Sequence, residues 1–227
     1  MEHIKDGLYW QDLKLGCQII TADHVACGEA VRFMMHEHMQ MALLKQFFLC
    51  PLSTTGCMPD NIWLQRDGEL WAPGTDVFCQ RIGCMIRQRG LLANLSLKEN
   101  LLLPFLYSDQ QHVLKKAEEG MAEVADFLGL QDKLDEKAGE RSAYIHALIS
   151  LGHCLLKKPD IVIVKELYLG MQSEHIEAFQ SKILQALKQL NAGVLYLTCS
   201  KQDMSELSFD RSYELKGDTD DPMEWQW

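Results

Sequence analysis

The sequence predicts an α/β fold in which helices cover a parallel sheet. Two apolar runs, residues 161–164 (IVIV) and 194–198 (VLYLT), are typical of strands that are buried on both faces of such a sheet. An amphipathic stretch over residues 174–190 lies between them, and the alternation of strand, helix and strand indicates parallel pairing. The chain has 227 residues, of which 47% are hydrophobic, and this is enough to bury a core of that kind.

The N-terminal part predicts short strands that lead into a strand–helix unit. Residues 1–25 alternate apolar and polar side chains, which is typical of short strands. Residues 30–35 then predict a buried strand, and residues 39–50 predict an apolar helix. The Pro, Ser, Thr and Gly content of residues 51–59 predicts a loop after that helix.

A hairpin and several helices are predicted farther along the chain. Residues 61–71 predict a hairpin with Asp67-Gly68 in its turn. From Leu97 onward the pattern is helical, and residues 111–130 carry apolar side chains at helical spacing. Ser142 predicts the N-cap of a further helix that reaches about residue 156.

The charge balance excludes several classes of partner and location. The chain has 32 acidic and 22 basic residues, for a net charge of −10. An acidic protein is not a general nucleic-acid binder, and it binds anionic lipid surfaces poorly. The sequence contains no run of about 18 apolar residues, so we predict no membrane span. The first residues do not resemble a secretion signal. The eight cysteines lack a disulfide or zinc spacing, so we expect reduced thiols and no metal site.

Short segments along the chain carry a resemblance to a known family. They are GE at residues 28–29, IG at 82–83, NLSLKEN at 94–100, KPD at 158–160 and DR at 210–211. In order and spacing they resemble the ATP-binding subunit of an ABC transporter, from about residue 28 to residue 217. The resemblance implies one P-loop NTPase-like ABC ATPase domain over residues 1–227, with an N-terminal antiparallel strand subdomain and a helical subdomain at about residues 93–157.

The resemblance implies a degenerate phosphate-binding loop directly after the strand at residues 30–35. The family pattern is G-x-x-x-x-G-K-[ST], and both glycines are absent here, as Met35 and Gln40. The phosphate-binding lysine is replaced by Met41 and the Mg²⁺-binding hydroxyl by Ala42. Glycines let backbone N–H groups surround the phosphates, and the lysine neutralises their charge. We therefore expect no bound ATP or Mg²⁺.

Three other motifs of the family are also altered. The metal-contacting glutamine of the Q-loop falls on Arg87, with Gln88 next to it. Of the signature L-S-G-G-Q only Ser142 is kept, and Tyr144 fills space near the expected γ-phosphate. The switch histidine falls on Cys199. Each change removes a group that the family uses to bind or hydrolyse nucleotide.

The Walker B strand ends in a charge reversal. The family pattern h-h-h-h-D-E matches residues 161–166, so Glu166 occupies the position of the catalytic glutamate. The Mg²⁺-organising aspartate is replaced by Lys165, and the adjacent degenerate loop carries Glu37. We predict an internal ion pair of Lys165 with Glu37 or Glu166 in place of nucleotide and Mg²⁺. Glu166 then acts as a structural partner, and no catalytic residue is expected.

The resemblance implies a transport-related function without hydrolysis. It indicates a docking or regulatory subunit that lies on the cytoplasmic face, peripheral to the inner membrane. Its partners would be a membrane transporter subunit and, in a dimer, a second copy or an active ATPase paralogue. Residues 99–104 resemble the lipid-trafficking (Mce or Mla) branch. The apolar residues 91–92 and 101–107 either receive the membrane subunit or belong to the core.

Two other functions stay open from the sequence. One is a divergent but active ATPase, for which Lys45 is the nearby lysine beyond Met41. The other is a metal- or small-molecule-binding protein on the old nucleotide pocket. His36 and His38, among several methionines, have a composition that suits copper, although methionines also fill gaps in cores.

Overall fold

The structure, a computed structural model, describes residues 5–15, 18–48, 61–86, 91–106, 111–139, 142–168, 170–200 and 207–215. The predicted loop at residues 51–59 and the positions Arg87 and Gln88 lie outside these ranges. The strands are β1 Gly7–Trp10, β2 Leu13–Leu15, β3 Gln18–Ile20, β4 Asp23–Ala26, β5 Ala30–Met34, β6 Ile62–Arg66, β7 Glu69–Trp71, β8 Ile82–Ile86, β9 Ile161–Lys165, β10 Gly193–Thr198 and β11 Arg211–Glu214. The helices are α1 Glu37–Phe48, α2 Asp76–Arg81, α3 Leu97–Leu106, α4 Gln111–Leu128, α5 Ala143–Lys157 and α6 Ser173–Leu190, with a 3-10 turn at Gln131–Lys133.

A parallel sheet lies at the centre of the described part of the chain. There, five strands pair in the order β11-β5-β10-β9-β8, and the four pairings between neighbours are parallel. Strands β9 and β10 are buried along their whole length because both faces of the sheet are covered. The predicted parallel α/β fold is confirmed.

The two faces of the parallel sheet enter two separate hydrophobic cores. On β9, Ile161 and Ile163 face one core, whereas Val162 and Val164 face the other. The core on the Val162 face includes apolar residues of α3, α4, α5 and α6. The core on the Ile161 face is shared with α1 and with strands near the N-terminus. Burial of both faces removes most of the apolar surface of the sheet from water.

The N-terminal strands form the predicted antiparallel part. Strands β4, β1, β6 and β7 pair in this order, and β2 pairs with β3. The predicted hairpin is β6–β7, and its turn residues Asp67 and Gly68 have φ values of 52° and 83°. Positive φ at both central positions is what a two-residue type I′ turn requires.

The predicted helices are present, with differences at their ends. Helix α1 begins at Glu37 instead of residue 39. Helix α4 ends at Leu128, and Gly129, with a φ of 72°, follows it as the residue that stops the helix. Ser142 is the N-cap of α5 as predicted, but its side chain makes no capping hydrogen bond within the described residues. Helix α2 was not predicted, because six residues are too few for a helical period. In the described ranges, no helix combines the length and apolarity needed to cross a bilayer.

Candidate functional site

Three segments that follow parallel strands meet at one edge of the sheet. Met35 follows β5, Glu166 follows β9, and Cys199 follows β10. In open parallel sheets, ligands bind at this carboxyl edge of the strands. Helix α1 also begins here, at Glu37, so the structure brings the predicted phosphate-loop, Walker B and switch positions together.

The first turn of α1 occupies the segment where a phosphate loop would run. Strand β5 ends at Met34 and α1 begins at Glu37, so two residues separate them. The backbone N–H of Gln40 already donates to the carbonyl of His36 at 3.1 Å, as in a regular helix. Without glycine, the Met, Gln, Ala and Leu of this segment favour helix over an open loop. The backbone N–H of Met39 donates to the same carbonyl at 3.0 Å, so these two amides are used within the helix instead of in a phosphate cradle.

Lys165 lies at the centre of the site as a buried cation. Its side chain is 2% exposed, and its Nζ lies 3.3 Å from Oε1 of Glu37 and 3.3 Å from Oε2 of Glu166. The Glu166 side chain is 15% exposed, whereas that of Glu37 is 57% exposed. The predicted internal ion pair is confirmed and includes both carboxylates. A buried charge of this kind is tolerated only when it is paired.

Glu166 has an unusual backbone conformation and an altered pKa. Its φ is 45°, in the left-handed region that residues other than glycine seldom adopt. Burial by itself would raise the pKa of this carboxyl. The hydrogen bond from Cys199 and the positive charge of Lys165 outweigh burial, and the pKa is lowered. Glu166 therefore stays ionised, and strain of this type concentrates at functional sites.

Cys199 and Gln40 extend the ion pair into a network. The thiol of Cys199 donates to Oε1 of Glu166 at 3.1 Å. Gln40 is fully buried, and its Nε2 donates to the carbonyl of Met35 at 3.0 Å and to Sγ of Cys199 at 3.2 Å. Burial, together with the hydrogen bond to Glu166, raises the pKa of Cys199 to about 11. The thiol is therefore protonated at neutral pH and is a poor nucleophile.

The other predicted positions lie away from this network. Met41 and Ala42 lie in the second turn of α1 and pack against the core on the Ile161 face. Ser142 lies at the start of α5 and makes no side-chain bond to the network among the described residues. Tyr144 stacks on His175 of α6, with ring centroids 4.6 Å apart.

The hydrogen-bonding role of Gln40 was missed by the sequence analysis. Its signal was its place as the polar residue within the apolar run MQMALL, residues 39–44. A polar residue in such a run is buried and must be hydrogen-bonded. Met35 and Met39, which precede Gln40 in the chain, are each 3% exposed. They therefore fill the core, which was the alternative to a role as copper ligands.

The candidate ligand-binding residues at this edge are paired with one another or lie away from it. The ammonium group of Lys165 lies between the two carboxylates that a cation would need. Lys45 lies in the last turn of α1, at the opposite end of the helix from the site. His36 and His38 are exposed and stack on each other. Across the described ranges, no group of three or more His, Cys, Asp or Glu residues could hold a metal ion.

Comparison with known proteins identifies relatives in sequence. No family model matches the chain. It is 26% identical over 130 residues to the linearmycin resistance ATP-binding protein LnrL of Bacillus subtilis, covering 57% of this chain and 40% of that protein. It is 25% identical over 184 residues to the bicarbonate transport ATP-binding protein CmpD of Synechocystis, covering 76% and 64%. It is 24% identical over 135 residues to the lipoprotein-releasing system ATP-binding protein LolD of Rickettsia bellii, covering 60% and 59%.

Solved structures share the fold over most of the chain. The ADP conformation of MJ1267, an ATP-binding cassette of an ABC transporter, has a TM-score of 0.69 at 15% identity and covers 93% of this chain and 88% of its own. CbiO1 from Clostridium perfringens, part of an ABC transporter complex, has a TM-score of 0.69 at 14% identity, covering 93% and 86%. The chain spans 40% to 64% of the length of the curated relatives named above. It has the fold of an ABC ATPase domain and is similar in sequence to the ATP-binding subunits of ABC transporters.

Proposed function

We propose that this chain is a non-hydrolysing subunit of an ABC-type membrane transporter, with its nucleotide site filled by its own side chains. It works through protein contacts, as a docking or regulatory subunit. It lies on the cytoplasmic face, peripheral to the inner membrane, as a dimer with a second copy or an active ATPase paralogue. The observation that carries the proposal is the buried Lys165 ammonium held between Glu37 and Glu166.

Charge and shape both oppose nucleotide at this site. Glu37 adds a negative charge at the start of α1, where the phosphates of a nucleotide would approach, and like charges repel. Moving Lys165 away to admit Mg²⁺ would leave its ammonium buried without partners. The backbone N–H groups of Met39 and Gln40 would also have to give up their hydrogen bonds to the carbonyl of His36. These three costs support a site that stays closed to nucleotide.

The similarity to transport proteins supports a membrane-bound partner. The relatives serve linearmycin resistance, bicarbonate transport and lipoprotein release, so the lipid-trafficking branch stays a prediction based on residues 99–104. On α3, Leu101, Leu102 and Phe105 are buried. This part of the predicted apolar patch therefore belongs to the hydrophobic core. Leu92 and Leu106 are 45% and 52% exposed, and we propose them as contacts for the membrane subunit.

The first test is the thermal stability of the pure protein with and without millimolar Mg²⁺-ATP. A ligand present at 100 times its Kd adds about 2.7 kcal/mol to the free energy of unfolding. We expect no shift for this chain, whereas an active ABC ATP-binding subunit, measured in parallel, should shift. A clear shift would contradict the proposal, and turnover that is lost in Glu166→Gln would favour the divergent ATPase.

The second test addresses docking. A Leu92→Glu/Leu106→Glu variant should lose association with membranes that hold the transporter subunit, because charge opposes burial of an apolar contact. Ile19→Glu is the matched control, since Ile19 is 56% exposed but lies on β3. Sedimentation of the membranes measures the bound fraction. Equal release of both variants, or of neither, would argue against this surface.

A further inference from the structure

A proline inside α3 leaves one backbone carbonyl without its helical donor. Pro104 lies within the helix Leu97–Leu106 and has no backbone N–H. The carbonyl of Asn100, four residues earlier, would normally accept that N–H, and the proline ring also crowds it. Asn100 is 2% exposed, so water does not readily replace the missing donor. A buried carbonyl of this kind needs another partner.

His153 of α5 supplies that partner. Its Nε2 lies 3.0 Å from the carbonyl oxygen of Asn100. A carbonyl only accepts hydrogen bonds, so Nε2 must carry the proton and donate it. The neighbouring Gly152 allows the close approach of the helices, because a Cβ there would lie 2.5 Å from Cδ1 of Leu101 and 3.0 Å from Cδ1 of Leu128.

The side chain of Asn100 holds the segment that precedes α3. Its Oδ1 accepts from the backbone N–H of Leu92 at 2.8 Å, and its Nδ2 donates to the carbonyls of Leu92 and Ser96 at 3.1 and 2.9 Å. Ser96 and Glu99 add a capping box, with reciprocal bonds of 2.7 and 3.1 Å, which fixes the start of the helix. Asn100 therefore connects His153 on one side to residues 92–96 on the other.

We infer that His153 is a positioning residue that fixes helix α3 and residues 92–96 as one unit against α5. Pro104 creates the requirement for it, and Asn100 transmits its effect to Leu92. Leu92 and Leu106, the exposed leucines at the two ends of this unit, are thereby fixed in position relative to each other. The inference depends on these contacts alone and not on the proposed function.

The test is a double-mutant cycle read by hydrogen exchange at the Leu92 amide in the full chain. His153→Ala should speed this exchange about tenfold, because losing one buried hydrogen bond destabilises the unit by that order. Pro104→Ala restores an N–H that can donate to Asn100. The double variant His153→Ala/Pro104→Ala should therefore exchange Leu92 at nearly the rate of Pro104→Ala alone.

Two further variants keep the test decisive. His153→Gln places an amide nitrogen near the position of Nε2 and should keep most of the protection of the Leu92 amide. This variant also tests the inference if His153→Ala does not fold. His112→Ala, which removes an exposed histidine on α4, should change nothing. Unchanged exchange in both His153 variants would overturn the inference. So would a double variant as fast as His153→Ala, because a packing role would not be rescued at residue 104.

Discussion

The two ends of strand β9 carry charge clusters of different composition. Just before the strand, the carboxylate of Asp160 lies between Arg66 and Arg81, with Nη1 atoms at 3.1 and 3.3 Å. At the other end, the ammonium of Lys165 lies between Glu37 and Glu166, both at 3.3 Å. Arg66 also pairs with Asp6 and Asp67, at 3.5 and 3.3 Å. The first cluster therefore holds three acids and two bases, whereas the second holds one base and two acids.

The balance between burial and partners differs at the two ends. At Asp160, burial, aided by the negative charges of Asp6 and Asp67, outweighs the two arginines and raises the pKa of the carboxyl. At Glu166, burial is outweighed by Cys199 and Lys165, and the pKa is lowered. The arginines are 34% and 44% exposed and share their charge with water, which weakens their effect. Lys165 is 2% exposed, so its charge acts almost entirely on its partners.

This difference assigns a structural role to one end and a site to the other. Asp160 connects β6, through Arg66, and α2, through Arg81, to the parallel sheet. The Lys165 cluster lies at the edge of the sheet where ligands bind, and it includes a residue with strained backbone. The comparison predicts that removing the central charge costs more at Lys165 than at Asp160.

The largest expected effect is that of Lys165→Met. The variant keeps the apolar stem but leaves Glu166 without its counter-ion, and breaking a buried pair in this way costs about 3 kcal/mol. Glu166→Gln in the same chain should recover part of that loss, because it removes the unpaired charge. Urea unfolding of the three proteins measures this. An equal loss in the single and double variants would mean that packing, not charge, sets the stability.

Asp160→Asn should have a smaller effect. The amide keeps one acceptor for the arginines, which are exposed enough to be solvated, and it removes a charge that burial disfavours. We therefore expect the free energy of unfolding to change by no more than about 1 kcal/mol. Urea unfolding under the same conditions gives the comparison. A loss as large as that of Lys165→Met would break the distinction between the two ends of β9.

The sequence predicted the Lys165 cluster in part but did not predict the Asp160 cluster. The pair of Lys165 with Glu37 was predicted because the resemblance places their two segments side by side. The cluster at Asp160 was not predicted, since Arg66 and Arg81 lie 94 and 79 residues away in the chain. Local spacing says nothing about such distant partners, and the resemblance gave Asp160 no partner.

Local sequence patterns predicted the strands and turns better than they predicted the start of a helix or the contacts between elements. The apolar run of β9 and the Asp67-Gly68 turn were found because burial on two faces and positive φ leave clear signals. The start of α1 at Glu37 was missed because the apolar run that predicted the helix begins only at Met39. The hydrogen bond of Cys199 to Glu166 was missed because it depends on how β9 and β10 pair.

The two carboxylates should respond to acid in opposite directions. The folded-state pKa of Glu166 is lowered, so its contribution is present above the unfolded pKa of about 4.3 and is lost as pH falls. The folded-state pKa of Asp160 is raised, so its contribution is full below about 3.9 and is lost as pH rises through the folded value. Urea unfolding from pH 7 to 3 of wild type, Glu166→Gln and Asp160→Asn separates them.

The outcome is read from differences between proteins. As pH falls toward 3, the free energy of unfolding of wild type relative to Glu166→Gln should decrease. Over the same range, the free energy of unfolding of wild type relative to Asp160→Asn should increase. Differences that move the same way with pH would contradict the opposite pKa shifts. The protein should be examined where it still folds reversibly, because the linkage relation holds only at equilibrium.

The smallest effect on the fold is expected from chemical labelling of Cys199, yet it reports directly on Glu166. With a pKa of about 11, roughly one thiol in a thousand is ionised at pH 8, so alkylation by iodoacetamide should be slow. Cys79 is also exposed and serves as the internal control in the same digest. Glu166→Gln removes the charge that opposes ionisation, so labelling of Cys199 should rise about tenfold while Cys79 is unchanged. If Cys199 reacts as fast as Cys79 in wild type, the thiol does not donate to Glu166, and the lowered pKa of that carboxyl must then depend on Lys165 and Gln40.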